Sequence, residues 1–128
     1  MDAAIRELYE RGLKVRKEVL GDEYVDSAIN SADEFTQPLQ EYITAHAWAA
    51  TWARPGLENK TRSMLNLAML TALNRGHELK IHIRGALNNG VTRDEMREIF
   101  LHSAAYCGAP AAMESFRLAK EVFKEAGI

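Results

Sequence analysis

The chain has 128 residues, which is enough for one domain with a single hydrophobic core. Hydrophobic residues make up 47% of it and charged residues 27%, a balance typical of a globular protein rather than a disordered one. The net charge of -2, with both signs interspersed, excludes the basic surface that nucleic acids or anionic membranes require. We therefore expect one domain spanning residues 1–128, with neither a nucleic-acid nor a membrane partner.

Cysteine content and hydropathy indicate the compartment. Cys107 is the only cysteine, so the chain has no intramolecular disulfide and no CxxC redox or zinc motif. The N-terminal stretch has acidic residues from position 2 and lacks the apolar core of a signal peptide. The longest apolar run, between Arg62 and Arg75, is shorter than the roughly 20 residues that span a bilayer. These features predict a cytoplasmic protein.

The predicted elements are helical throughout, because helix formers dominate and no run alternates apolar and polar residues. A first helix ends at Gly21, and residues 22–34 form a short helix or turn. A stronger helix follows, with Pro38 in its first turn and Pro55 at its end. The next helix, about 58–75, is apolar on most of its circumference, which is typical of a bundle centre or a subunit interface.

The second half of the chain continues the helical pattern. Gly76 breaks the chain before the next helix, which lies in the stretch RGHELKIHIRGALNNG, residues 75–90. Thr92 and Glu95 form a capping box at the start of the following helix, and Pro110 begins the last one. The sequence therefore predicts an all-α fold, a single-domain bundle of six to seven helices.

The stretch 75–90 contains the first candidate site. Glu78 and His82 lie four residues apart, on one face of the predicted helix, and Gly85 leaves space one turn further on. A histidine oriented by a carboxylate suits proton transfer, because the carboxylate fixes its tautomer and holds its pKa near working pH. The same spacing fits an exposed helix face. Spacing alone favours that second interpretation, since solvated pairs are commoner than perturbed ones.

Other histidines and aromatic residues give weaker signals. His102 and Tyr106 lie one turn apart, and Tyr106 could hydrogen-bond a substrate oxygen, although a boundary histidine and a core tyrosine explain them equally well. His46, on an apolar helix face, is predicted to be a core residue. Trp48 and Trp52 form a second stripe and are predicted to anchor the core or an interface, with a pocket wall as the alternative.

The remaining polar residues fit an anionic ligand better than a metal. With no HExxH motif and no His/Cys cluster, no metal site is predicted. Cys107, on an apolar stripe, is predicted to be a buried thiol. Arg54 stands at a helix end, and Arg62 and Arg75 bracket the apolar helix. Arginine forks suit carboxylates, although the helix macrodipole alone explains Arg75.

Four motifs together make the chain similar to a known family. They are W-x-R-P-G-L from Trp52, K-T-R-S from Lys60, E-L-x-x-H-x-x-G-A-L-x-x-G-V-T from Glu78 and Y-x-G-x-P-A-A from Tyr106. Over roughly residues 35–124 the chain resembles the carboxymuconolactone decarboxylase family, and within it the 4-carboxymuconolactone decarboxylases. The resemblance implies an alkylhydroperoxidase D-like helical fold.

The wider superfamily carries Cys-x-x-Cys-x-x-x-His on the helix that matches the stretch 75–90. When that histidine is aligned with His82, the two cysteines fall on Arg75 and Glu78. Because the chain lacks both thiols, the thiol peroxidase and disulfide chemistry of those relatives is excluded.

The resemblance implies a carboxy-lyase that converts 4-carboxymuconolactone to the β-ketoadipate enol-lactone in protocatechuate breakdown, without a metal, flavin or pyridoxal cofactor. It implies His82 as general acid or electrophilic stabiliser, oriented by Glu78. We expect the anionic substrate to be bound by five further side chains: Arg54, Arg62, Arg75, His102 and Tyr106.

The resemblance also implies a homo-oligomer, a hexamer or a trimer, and the apolar helix 58–75 fits a sizeable interface. Two alternatives stay open. The chain could be a paralogue that acts on another small lactone or acid. It could also be a non-catalytic helical oligomer, in which Glu78 and His82 would both be exposed to solvent with no pocket beside them.

Overall fold

The computed structural model describes residues 1–128, and every regular element in it is helical. The elements are α1 Ala3–Leu20, α2 Asp22–Asn30, α3 Gln37–Tyr42, a π-helical segment Ile43–Trp52, α4 Asn59–Ala72, α5 Gly76–Asn88, α6 Arg93–Cys107 and α7 Ala109–Ala126. The predicted all-α fold of six to seven helices is therefore confirmed. The elements group into two compact units, residues 1–58 and 59–128. The extent of the single domain, 1–128, stays a prediction.

None of these helices combines the length and the apolar character that crossing a membrane requires.

The first unit is built on the packing of α1 against the π-helical segment. Trp48 and Trp52 are 4% and 7% exposed and stack with ring centroids 5.0 Å apart, beside the fully buried Val19. The two tryptophans therefore anchor the core, as one of the predicted interpretations held. Gly12 permits the close approach, because a Cβ there would overlap the carbonyl oxygen of Thr44.

The long helix predicted before Pro55 changes character at Ile43, where α3 continues as the π-helical segment. The Thr44 hydroxyl donates to the Gln40 carbonyl at 2.7 Å. In an α-helix that carbonyl accepts from a backbone N–H, so the hydroxyl competes with the regular helical hydrogen bond. Arg16 of α1 reinforces this junction, since its Nη1 donates to the Gln40 side chain at 2.9 Å and to the Thr44 hydroxyl at 3.2 Å. Burial lowers the pKa of Arg16, and its Nε has no partner.

The prediction that His46 is a core residue is wrong. Its side chain is exposed and stacks on Tyr42, with ring centroids 4.7 Å apart. Phe35 and Leu39, which precede it on the same predicted apolar face, are also exposed, Phe35 by 91%. The physical reason is that α1 covers the tryptophan face of the segment and leaves this face uncovered.

The second unit has one hydrophobic core to which α4, α5, α6 and α7 all contribute. Its fully buried side chains include Leu67 of α4, Ile83 of α5 and Phe100 of α6. The predicted helix boundaries are confirmed at the glycine that begins α5 and at the capping box of α6. In that box the Glu95 N–H donates to the Thr92 hydroxyl at 3.0 Å, and the Thr92 N–H donates to the Glu95 carboxylate at 2.9 Å.

Two predictions for this unit need correction. Cys107 is an exposed thiol rather than a buried one, because it ends α6 at an uncovered turn before Gly108. The apolar helix α4 is not a bundle centre, since its residues Leu65 and Met69 are 48% and 52% exposed, and Leu73, directly after its end, is 64% exposed. The interface interpretation of that helix stays a prediction.

The contact at Gly12 gives a test of the first unit. Alanine there gains helix propensity, yet its methyl group collides with the Thr44 carbonyl, so we expect Gly12→Ala to lower the free energy of unfolding by about 1–3 kcal/mol. Gly56→Ala is the control, because a Cβ at Gly56 meets no atom within 4 Å. Urea denaturation measures both. A Gly12→Ala variant as stable as wild type would contradict the packing.

Candidate functional site

The candidate site lies where α4 and α5 pack against each other. Hydrogen bonds join the two helices in antiparallel register: the Asn89 amide donates to the Ser63 hydroxyl at 2.8 Å, and Asn66 Nδ2 lies 3.4 Å from His82 Nδ1. The buried residues of α5 are Leu79, Ile83, Gly85 and Ala86. Gly85, predicted from the sequence to leave space beside His82, is therefore covered by the protein. Hydrophobic packing between α4 and α5 thus holds Asn66 beside His82.

Asn66 is the residue that the sequence interpretation missed. It is the one amide side chain in the run SMLNLAML, one turn after Arg62 on the same face of α4. A single amide among apolar residues is the signal that could have identified it, because a half-buried amide requires a hydrogen-bonding partner. That partner is His82, sixteen residues further along the chain.

His82 is half-buried rather than exposed. Desolvation lowers its pKa to about 4, and the negative charge of Glu78 opposes that shift without overcoming it. The ring is therefore neutral at pH 7. The exposed-face interpretation of this pair fails for His82 and holds for Glu78.

Glu78 is exposed and lies in the first turn of α5, one turn before His82. A negative charge at that place also stabilises the N-terminus of the helix through the macrodipole. Its predicted role as the group that orients His82 remains a prediction. The shift that it causes shows an electrostatic interaction between the two side chains.

The three arginines occupy different places. Arg62 is half-buried on α4, one turn from Asn66. Arg75 is exposed and lines a small cavity of about 110 Å³ together with Glu114, on the side of α5 that packs against α7. Arg54 is exposed in the first unit. Their roles in binding substrate stay predictions.

His102 and Tyr106 form a pair of their own on α6, with ring centroids 5.2 Å apart. Tyr106 is 81% exposed, so the core interpretation of this tyrosine is wrong; the last turn of α6 lies beyond the packed part of the helix. His102 lines an open, mainly apolar groove of about 510 Å³ between α4 and α6, beside Leu65. The structure thus brings His82 together with Asn66 and Glu78, and places His102 with Tyr106.

Metal-ligating residues are not clustered. No group of three or more His, Cys, Asp and Glu side chains comes together in a way that could hold a metal ion.

Comparison of the sequence with known proteins identifies the family of this chain. The sequence profile of the carboxymuconolactone decarboxylase family matches residues 37–121. The chain belongs to that family. The match spans the π-helical segment, Asn66, the pair Glu78 and His82, and most of α7. As a member of the family the protein is a decarboxylase, a carboxy-lyase.

Relatives within the family differ in the substrate that they are named for. The chain is 45% identical over 120 residues to a 4-carboxymuconolactone decarboxylase from Acinetobacter baylyi, covering 94% of this chain and 90% of the relative. It is 46% identical over 124 residues to a nitrosuccinic acid decarboxylase from Metarhizium robertsii, covering 97% and 87%. Identity alone therefore does not choose between the two substrates.

The lowered pKa of His82 predicts a pH dependence of stability. The unfolded chain takes up a proton near pH 6.5 and the folded protein only near pH 4, so the free energy of unfolding falls by up to about 3 kcal/mol as pH decreases through that window. This component should be absent from His82→Gln. The control is His77→Gln, an exposed position on the same helix that leaves His82 in place.

Urea denaturation at pH 7 and at pH 4.5 measures this effect in the three proteins. If wild type and His82→Gln lose the same stability between the two pH values, His82 is not desolvated in the folded protein.

Proposed function

We propose that the protein decarboxylates 4-carboxymuconolactone to the β-ketoadipate enol-lactone, in protocatechuate breakdown, without a metal, flavin or pyridoxal cofactor. The observation that carries this proposal is a neutral, half-buried His82 beside Glu78, in a family member 45% identical to a 4-carboxymuconolactone decarboxylase. The lone thiol, Cys107, is exposed, which suits the reducing cytoplasm where we place the reaction.

The main task of the enzyme in this reaction is to stabilise the negative charges of the substrate and of the enolate that forms from it. The bond between the ring carbon and the leaving carboxylate breaks, CO2 departs, and its bonding electrons flow through the alkene into the lactone carbonyl as an extended enolate. A proton then adds to carbon, so the net reaction consumes one proton and releases one CO2. The enzyme must hold a dianion and stabilise the new negative charge on oxygen.

His82 suits the second of those tasks. Because burial keeps the ring neutral at pH 7, it reaches the substrate as a hydrogen-bond donor rather than as an imidazolium. A preorganised donor in a partly dry site stabilises a developing oxyanion far more than the same donor in water. Of the two roles expected for His82, this supports the electrophilic stabiliser. Glu78, one turn away, increases the basicity of the ring because its negative charge favours the protonated form.

Arginine side chains supply the charge that a dianion requires. Arg62 lies one turn from Asn66 on α4 and is the arginine that we assign first to a substrate carboxylate. Arg54 and Arg75 remain candidates for the second carboxylate, with His102 and Tyr106 as further pocket residues.

Nitrosuccinic acid is the second candidate substrate, favoured by 46% identity over 97% of the chain. The two compounds share the required chemistry. Each has two carboxylates, and each carries an electron-withdrawing group able to accept the electrons that CO2 leaves behind, a conjugated lactone carbonyl in one and a nitro group in the other. A neutral hydrogen-bond donor would stabilise an enolate or a nitronate equally well, so the site fits both.

Turnover with both substrates tests the proposal. We expect wild type to release CO2 from 4-carboxymuconolactone with the larger kcat/KM, and His82→Ala to lose about 10²–10⁴-fold in kcat. Glu78→Gln should lose less, because its charge acts through the ring. His77→Ala, on the same helix but exposed, is the matched control.

Two outcomes would contradict the proposal. Faster turnover of nitrosuccinate would reassign the substrate, and His82→Ala with wild-type kcat on both compounds would remove His82 from the site.

We also propose that the protein is a homo-oligomer, a hexamer or a trimer, which uses the exposed apolar stripe of α4. Leu65, Met69 and Leu73 are spaced four residues apart, so they share one face, and Leu65 also lines the apolar groove between α4 and α6. The first unit carries a second exposed apolar face, which includes Phe35. Contiguous exposed apolar surface of this kind marks protein–protein contacts.

Charge placed on the stripe should disrupt this assembly. We expect light scattering to give wild type a mass several times the 14.4 kDa chain, and Met69→Glu a smaller one, because a carboxylate would be buried without a partner. Ser27→Glu adds the same charge at an exposed position of α2 and should leave the mass unchanged. A wild-type monomer at micromolar concentration would refute the oligomer. An unchanged mass for Met69→Glu would place the interface elsewhere.

A further inference from the structure

We infer that Asn66 is a positioning residue that holds His82 in the tautomer with its proton on Nε2. The contact that carries this inference is the 3.4 Å approach of Asn66 Nδ2 to His82 Nδ1 between two packed helices. Its catalytic consequence rests on the proposed function; the tautomer itself does not.

The chemistry of the two nitrogens fixes the direction of the hydrogen bond. The amide nitrogen of asparagine carries two protons and no acceptor lone pair, so it can only donate. His82 Nδ1 must therefore accept, and a neutral imidazole with an accepting Nδ1 carries its single proton on Nε2.

The same contact disfavours the charged ring. An imidazolium would bear a proton on Nδ1 as well, and that N–H would face the Asn66 amide protons, leaving two donors opposed in a half-buried place. Asn66 thus acts in the same direction as desolvation. It also leaves Glu78 to act on the ring by charge rather than by accepting a proton from Nδ1.

The tautomer decides what the ring offers to a substrate. With the proton on Nε2, the edge turned away from Asn66 presents a donor to a developing oxyanion. With the proton on Nδ1, that edge would present a lone pair and repel the oxyanion. Asn66, through His82, would then determine whether the site stabilises or opposes the negative charge that loss of CO2 creates.

The tautomer can be observed without any substrate. In protein labelled with 15N-histidine, long-range proton–nitrogen correlation spectra distinguish a protonated Nε2 from a protonated Nδ1. We expect His82 in wild type to show the Nε2–H form at pH 7. Asn66→Asp replaces the donor with a carboxylate acceptor, and should convert His82 to the Nδ1–H or the doubly protonated form.

The control repeats the same substitution between the same two helices. The Asn89 amide donates to Ser63 at 2.8 Å and to the Asn59 carbonyl at 3.5 Å rather than to His82, so Asn89→Asp should leave the Nε2–H form unchanged. A merely structural effect of losing an interhelix amide would appear in both variants. If the two variants change the His82 spectrum alike, Asn66 is not a positioning residue.

Kinetics complete the test. We expect Asn66→Asp to lose on the order of 10²-fold in kcat with KM changed little, since the change affects the oxyanion more than the bound substrate. A wild-type spectrum with the proton on Nδ1 would overturn the inference whatever the activity. A chain that shows the Nε2–H form but turns over neither substrate would instead overturn the proposed function and support the tautomer assignment.

Discussion

The packing of α4 against α5 is the constraint on which the candidate site depends. Burial of Leu67, Leu79 and Ile83 brings the two helices together, and His82 lies half-buried at the same contact, beside Asn66. Burial of the ring lowers its pKa. Because burial disfavours protonation of His82, the folded protein loses stability in acid. At neutral pH the same burial keeps the ring neutral, so that it can act as a hydrogen-bond donor.

Polar side chains between α4 and α5 allow the candidate site to lie within a mainly hydrophobic helix–helix contact. Asn89 bonds Ser63 at one end of the pair, and Asn66 meets His82 near its middle. Each half-buried amide has a partner, so neither carries the full cost of desolvation. The arrangement gives the histidine a defined orientation from a rigid pair of helices rather than from a mobile loop, which is the support that preorganised catalysis requires.

Family membership fits this division of labour between protein and substrate. In the proposed reaction, the electron-accepting group lies within the substrate, and the protein contributes donors and positive charge. Relatives named for a carboxymuconolactone and for nitrosuccinic acid share about the same identity with the chain. A neutral donor stabilises either an enolate or a nitronate, so substrate choice rests on the side chains that contact the rest of each molecule.

The sequence by itself determined the helical class and several helix ends, because glycines, prolines and the Thr92–Glu95 capping box act locally. It excluded the dithiol chemistry of the wider superfamily, because both cysteines of the CxxC motif are absent. It predicted His82 as a site residue through its motif. Only the tertiary structure decided which apolar faces are covered, since helical periodicity defines a face but not its partner; His46 and Tyr106 are exposed for that reason. The pairing of Asn66 with His82 likewise joins positions sixteen residues apart, which only the packing of two helices brings into contact.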